Sequence, residues 1–105
     1  MTRRVVTTRG ADVDIDAAVQ YYSEVADGEA MLGLIDALQD AVRLLAEHPS
    51  IGSPRLEVLT GVRGLRGLPL RRYPYVLVYT DDTDAVRVHR VLHSSRDIPS
   101  ELADL

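Results

Sequence analysis

At 105 residues the chain is long enough for a single domain, residues 1–105, with one modest core, and its lack of cysteine excludes disulfides, thiolate metal sites and cysteine nucleophiles. No apolar run approaches membrane-spanning length and the N-terminus has no apolar stretch typical of a signal peptide, so we expect a cytoplasmic protein with no membrane partner. The formal net charge of −4 hides an asymmetry, because residues 10–57 are mainly acidic and residues 58–96 mainly basic.

The first half of the chain predicts one strand and two helices. Arg3–Thr8 is short and β-branched, which is typical of a strand. Apolar residues at helical spacing predict a helix from Asp12 to the break at Asp27–Gly28, and a second helix over Glu29–Glu47. Their link is so short that the two helices should form an antiparallel hairpin. The first stripe is Ile15, Ala18, Val19, Tyr22 and Val25, and the second is Met31, Leu34, Ile35, Leu38, Ala41, Val42, Leu44 and Leu45.

The second half predicts a three-stranded meander after a loop. The strands are expected over Val62–Leu70, Arg72–Thr80 and Ala85–His93, with the acidic stretch Asp81–Asp84 as the last hairpin turn. Ile98–Leu105 is either a short helix capped by Ser100 or a frayed tail. The order β-α-α-β-β-β predicts an α+β fold, with the helical hairpin on one face of a small, mainly antiparallel sheet and the opposite face free for function.

Side-chain alternation along the strands raises two questions. Tyr75 and Tyr79 alternate with Val76 and Val78, so one pair is expected to face the core and the other to face out. By strict alternation, Arg90 shares one face of the last strand with apolar neighbours. Either a bulge reverses the alternation there, or Arg90 is buried against a carboxylate, with Asp97 and the acids of the first helix as candidates. The apolar neighbours are Val86, Val88 and Leu92.

Three segments resemble the RelE/ParE superfamily of toxins from type II toxin–antitoxin systems. They are LLAEHPSIGSPR (Leu44–Arg55), LRGLPLRRYPYVLVY (Leu65–Tyr79) and VHRVLHSSRD (Val88–Asp97), and the last is most similar to the ParE branch. The resemblance implies a toxin that is neutralised by an antitoxin whose flexible C-terminal segment wraps it. It also implies one of two activities: RelE-like members cleave mRNA on the ribosome, whereas ParE-like members poison DNA gyrase. A shared fold does not choose between them.

A ribonuclease would need a base, a cation and an acid around the 2′-hydroxyl. The chain offers His93 with Arg66 and Arg96, and we expect His89 and His93 to share one face of the last strand. RelE-like nucleases usually carry an aromatic residue just after the Arg-Asp pair, where this chain has Ile98, which transfers no proton. No catalytic residue is therefore favoured. The two histidines are about 13 Å apart by strand rise, so no metal site is expected either.

Arginine supplies all twelve basic residues, and its planar fork suits carboxylates and phosphates. A locally basic strip on an acidic protein favours one specific anionic partner. For Arg90 and Arg96, structural ion pairs are an equal alternative to partner binding. Tyr21 lies off the first helix's apolar stripe, which suits a surface contact. The predicted partner-binding residues are Tyr21, Arg63, Arg66, Arg71, Arg72, His89 and Arg96.

These patterns and the resemblance together favour a toxin that inhibits DNA gyrase without catalysing a reaction, needs no cofactor and is held inactive by a ParD-like antitoxin. DNA would be contacted only indirectly, through the antitoxin. The alternative is a ribosome-dependent mRNA endoribonuclease that uses His93 with Arg66 or Arg96. A third possibility is an inactive relative that is retained only for regulation, as part of a DNA-bound complex with its antitoxin.

Overall fold

The computed structural model describes residues 2–105, and its order of elements confirms the predicted α+β fold. Two helices pack on a four-stranded sheet of order β1-β4-β3-β2, in which β1 runs parallel to β4 and the other neighbours are antiparallel. Within these residues no helix is both long and apolar enough to span a bilayer. The elements are β1 Val5–Thr7, α1 Arg9–Val25, α2 Gly28–Glu47, α3 Arg55–Thr60, β2 Arg66–Pro69, β3 Tyr75–Asp81, β4 Val86–His93 and α4 Ile98–Glu101.

Both long helices begin at side-chain caps. The Thr8 hydroxyl accepts a hydrogen bond from the Ala11 amide at 3.2 Å, so α1 starts at Arg9 rather than at Asp12. The Asp27 carboxylate accepts one from the Ala30 amide at 2.8 Å and starts α2. The Ser100 cap predicted for the last helix is wrong. That residue lies inside α4, and its hydroxyl donates to the carboxylate of Asp97 at 2.8 Å.

The strands begin later than predicted because the residues before them have left-handed backbones. Gly64 has φ of 76° ahead of β2, and Arg72 has φ of 69° ahead of β3. A strand needs φ well below zero, so neither residue can belong to one. The turn between β2 and β3 is closed by a hydrogen bond from the Leu70 amide to the Tyr75 carbonyl at 2.9 Å.

A first core lies between the helical hairpin and the sheet. It includes most of the predicted helix stripes, but Val25 and Val42 are exposed and do not belong to it. Tyr75 and Tyr79 both face this core, as does Leu77 between them. Its buried members are Ala11, Ala18, Leu34, Leu38, Ala41, Leu45, Leu70, Tyr75, Leu77, Tyr79, Val86, Val88 and Val91.

The opposite face of the sheet is covered, so the prediction of a free face is wrong. A second core of Leu56, Leu65, Val78, Leu92 and Leu102 lies there, and Val78 is fully buried rather than facing solvent. Leu56 comes from α3, which the sequence analysis missed, and Leu102 follows α4. Burial of these apolar side chains ties both short helices to the sheet.

Tyr79 joins the first core to the loop after α2. Its side chain is fully buried, and its hydroxyl donates to the Pro49 carbonyl at 2.7 Å and accepts from the Gly52 amide at 2.8 Å. Burial raises the pKa of this phenol, although the hydrogen bond from Gly52 and the charge of Arg66 oppose that shift. A Cβ on Gly52 would lie 2.6 Å from the hydroxyl oxygen, so only glycine fits there.

Replacing Tyr79 with phenylalanine should lower the free energy of unfolding by about 2 kcal/mol, because both groups that the hydroxyl satisfies lose their partner. Urea denaturation followed by circular dichroism measures this loss. The control is Tyr21→Phe, which removes a hydroxyl from a side chain that is 55% exposed and should change stability by less than about 0.5 kcal/mol. Equal losses in the two variants would show that the buried hydroxyl is not a special anchor.

Candidate functional site

A β-bulge in β4 decides which side chains reach each face of the sheet. Val78 pairs with Arg90 and Tyr79 pairs with Val88, so His89 is the extra residue. Val86, Val88 and Val91 therefore all face the first core although their spacing is not even. The bulge also places the two histidines on opposite faces: His93 contacts Tyr75 of the first core, whereas His89 bonds Thr80, which alternates with Tyr79. The expectation of a shared face is wrong.

Both explanations that the sequence leaves open for Arg90 are correct. The bulge reverses the alternation, and the guanidinium pairs with Asp14 of α1 through Nε–Oδ2 at 2.7 Å and Nη2–Oδ1 at 3.1 Å. Asp97 is not its partner. The Asp14 carboxylate raises the pKa of Arg90 and also accepts a hydrogen bond from the Val91 amide at 2.9 Å. Arg90 is thus a structural residue, as one of its two interpretations expected.

The pair forms the floor of a cleft of about 480 Å³ between α1 and the end of β4, here named the α1–β4 cleft. Its main side chains are Asp14, Tyr21, Tyr75, Arg90, His93 and Arg96. The His93 ring lies edge-on to Tyr75, with centroids 5.3 Å apart, and its Nδ1 atom accepts from the Ser95 amide at 3.1 Å. Arg96 pairs with Glu101 at 3.0 Å on the surface. These contacts fix the ring of His93 and the direction of the turn that follows β4.

The residues of the alternative nuclease site do not form one site. His93 and Arg96 share the α1–β4 cleft, but Arg66 lies on β2 opposite Tyr79. Because Tyr75, not Tyr79, is opposite His93, Arg66 is about 13 Å farther along the sheet and two strands away, at about 4.8 Å per strand. Its Nη1 atom donates to the Gly52 carbonyl at 2.7 Å, so it holds the loop after α2 instead.

The other predicted partner-binding residues divide into engaged and free side chains. His89 is half-buried and shares a 2.8 Å hydrogen bond with Thr80. Arg63, Arg71 and Arg72 are exposed, and within residues 2–105 none of the three has a carboxylate at ion-pair distance. Those residues also include no group of three or more His, Asp or Glu placed to hold a metal ion.

A second recess, missed by the sequence analysis, lies between α2 and the outer edge of β1 and is here named the α2–β1 groove. It has a volume of about 480 Å³ and is lined mostly by apolar side chains, with Arg3 and Arg43 among the lining residues. The backbone of β1 bonds β4 through Arg4 and Thr8, so Val5 and Thr7, between them, direct their amides and carbonyls outward. The apolar lining includes Val5, Ile15, Leu38, Val42, Ala46 and Val91.

Residues 5–98 match the family model described as "ParE toxin of type II toxin-antitoxin system, parDE". The chain belongs to this ParE toxin family. The family predicted from the three sequence segments is therefore confirmed. A solved structure described as "Chromosomal ParDE TA system from P. aeruginosa" is similar in fold, with a TM-score of 0.73 and 22% identity, over 88% of this chain and 96% of that one. Among curated proteins, no relative matches.

In this ParE-family toxin, Asp14→Ala should lower the free energy of unfolding by about 3 kcal/mol, because it leaves the Arg90 guanidinium without a carboxylate and the Val91 amide without its acceptor. The Asp14 and Arg90 side chains are only 15% and 28% exposed. Asp40→Ala, which breaks the exposed Asp40–Arg43 pair, is the control and should cost less than about 0.5 kcal/mol. Urea denaturation compares them, and similar losses would contradict a special role for Asp14.

The toxin should also lose stability in mild acid through His89. Burial lowers the pKa of His89, and although Asp82 opposes the shift, Arg87 adds to it. The unfolded chain, with a histidine pKa near 6.5, then binds the proton more readily than the folded one. Stability therefore falls as pH drops from about 7.5 through 6.5 towards the folded pKa. The fall between pH 7.5 and 5.5 should be smaller in His89→Gln, measured by urea denaturation at each pH; an unchanged pH dependence would assign the effect to other groups.

Proposed function

We propose that this ParE-family toxin inhibits DNA gyrase without catalysing a reaction. The observation that supports this most directly is the separation of Arg66 from His93 and Arg96, since RNA cleavage needs its base and cations around one phosphate. Ile98 stands after the Arg96–Asp97 pair and provides no proton-transferring group. A toxin that acts by binding must recognise its partners through its surface.

The second part of the proposal is that a ParD-like antitoxin neutralises the toxin at the α2–β1 groove. The partner named for the similar P. aeruginosa structure is a ParD, because that structure is described as a ParDE system. The groove combines apolar lining with the free backbone edge of β1, which is the combination that an added strand requires. An extended antitoxin segment would pair with Val5 and Thr7 and place alternate apolar side chains against Leu38 and Val42.

Two arginines line the groove and can pair with acidic residues of this segment. Arg43 is paired with Asp40 at 3.1 Å and both side chains are largely exposed, whereas Arg3, paired with Asp81 at 2.9 Å, is only 35% exposed. An exposed pair such as Arg43–Asp40 contributes little to folding, so an acidic antitoxin residue can replace Asp40 at small cost. A flexible segment that becomes ordered on this surface would lose conformational entropy on binding but could contact a large part of the toxin.

The ribosome-dependent endoribonuclease stays the alternative, because His93 and Arg96 do share the α1–β4 cleft. It is tested by His93→Ala. If the wild-type toxin cleaves mRNA and the folded variant does not, that function is supported. The gyrase proposal expects no cleavage by the wild type or by the variant.

The decisive measurement is a gyrase supercoiling and cleavage assay with purified, antitoxin-free toxin. We expect linear, gyrase-trapped DNA that increases with toxin concentration and disappears when antitoxin is added. Folded toxin without any effect on gyrase would contradict the proposal. A second readout separates target from antitoxin: Val42→Asp places a charge in the α2–β1 groove and should weaken antitoxin binding about 30-fold, since a buried unpaired carboxylate costs about 2 kcal/mol or more.

The matched control for the groove is Val58→Asp. Val58 is exposed on α3, away from the groove lining, so this variant carries the same charge change and should keep wild-type antitoxin affinity. Calorimetric titration with the antitoxin measures both variants. Equal affinities for Val42→Asp and Val58→Asp would show that the antitoxin binds elsewhere.

A further inference from the structure

One end of the sheet gathers tyrosines and arginines from three separate parts of the chain. The turn between β2 and β3 and the turn after β4 meet there, because Tyr75 pairs with His93 and the Ser94 amide donates to the Pro74 carbonyl at 2.8 Å. The C-terminal half of α1 adds Tyr21, whose ring lies edge-on to Tyr22. We name this region the tyrosine end; its members are Tyr21, Tyr22, Tyr73, Tyr75, His93, Arg71, Arg72 and Arg96.

The aromatic rings at this end form a continuous series. Between ring centroids, Tyr22 lies 5.5 Å from both Tyr21 and Tyr73 and 6.4 Å from Tyr75, and Tyr75 lies 5.3 Å from His93. The Tyr73 hydroxyl donates to the Ala30 carbonyl at 2.8 Å, which holds the series against α2. Tyr21 is the most exposed of these tyrosines, at more than half of its surface, so its ring is accessible to a planar group.

The arginines at this end are free or only loosely held. Arg71 and Arg72 are exposed and form no ion pair within residues 2–105, although Asp36 and Asp40 line the same recess. Arg96 has one surface pair, with Glu101. Arg72 holds a left-handed backbone, φ 69°, at the tip of its turn, a conformation that costs any residue but glycine. The turn thus holds a guanidinium where glycine would form it more easily.

We propose that the tyrosine end binds single-stranded polynucleotide, with a base stacked on Tyr21 and phosphates held by Arg71, Arg72 and Arg96. An exposed aromatic ring beside exposed cations is the combination that single strands recognise, and a duplex presents no free base faces. Asp14, the acidic residue that lines the α1–β4 cleft, is already bonded to Arg90 and to the Val91 amide. It therefore repels a phosphate there less than a carboxylate without such partners would. This departs from the expectation that DNA is reached only through the antitoxin.

Fluorescence anisotropy of labelled twelve-residue dT and U oligonucleotides with the purified toxin tests the proposal. Because each phosphate contact in a single strand changes the salt dependence of log K by about −0.7, three contacts predict a slope of about −2. We expect at least tenfold weaker binding of a twelve-base-pair duplex. The dT and U arms distinguish DNA from RNA as the preferred strand, and binding of either supports the site.

Three variants assign the roles. Arg72→Gly keeps the left-handed turn while removing one cation, and should weaken binding about fivefold and reduce the salt slope by about 0.7. Tyr21→Ala should weaken binding at least fivefold with the slope unchanged, and Tyr21→Phe should restore it. Arg63→Ala is the matched control, because Arg63 is exposed and unpaired but lies beside the turn between β3 and β4, at the other end of β3.

The proposal is overturned by several outcomes of the same experiment. They are absence of binding at low salt, equal affinity for duplex and single strand, equal loss in Arg63→Ala and Arg72→Gly, or equally effective competition by poly-glutamate, which would identify an acidic-peptide site. The assay contains neither gyrase nor antitoxin, so its failure leaves the proposed function untouched.

Discussion

The arrangement of this ParE-family toxin depends on the contacts of the Asp14 carboxylate with the Arg90 guanidinium and the Val91 amide. β1 has three residues and β4 has eight, so the second half of β4 lacks a neighbouring strand on the β1 side. Asp14 takes that place by accepting from the Val91 amide, and it neutralises Arg90 at the same time. One side chain of α1 thereby satisfies an open sheet edge, fixes the helix against the sheet and builds the floor of the α1–β4 cleft. A hydrophobic residue could pack there, but it could not satisfy the edge.

Two cores leave little of the sheet for function. The helical hairpin covers one face and the short helices α3 and α4 cover the other, so neither face of the central strands meets solvent broadly. Both of the proposed recognition surfaces therefore lie at the margins of the sheet: the free edge of β1 with the α2–β1 groove, and the tyrosine end. These two surfaces use different chemistry, backbone and apolar side chains in one case, rings and guanidiniums in the other. A partner at the groove and a ligand at the tyrosine end need not compete.

The periodic parts of the fold could be predicted from the sequence, because hydrophobic spacing and turn residues act locally. The hairpin of α1 and α2 and the final β-hairpin followed from such patterns, whereas the family followed from the resemblance of three segments to known toxins. α3 did not, since six residues carry too little periodicity and only Leu56 is buried. The bulge at His89 depends on the pairing of β4 with β3, which no local pattern records, and it moved His89 off the face of His93. Arg66 was predicted to contact a partner, but its carbonyl acceptors at Ser50 and Gly52 are distant in sequence.

The distribution of carboxylates along the chain explains which arginines remain free. Arg43 has Asp40 three residues before it, and Arg87 has Asp82 and Asp84 in the adjoining turn, so both are paired locally. From Val58 to Thr80 the sequence has four arginines and no acid. Arg66 donates to backbone carbonyls, and the other three form no ion pair within residues 2–105, although Asp36 and Asp40 line the same recess as Arg71 and Arg72. A folded domain gains nothing from leaving exposed cations without partners, apart from solubility, and loses a little at Arg72, where the backbone is strained. Arg71 and Arg72, together at one turn beside the tyrosines, are thus better explained by an anion outside the chain than by any demand of folding.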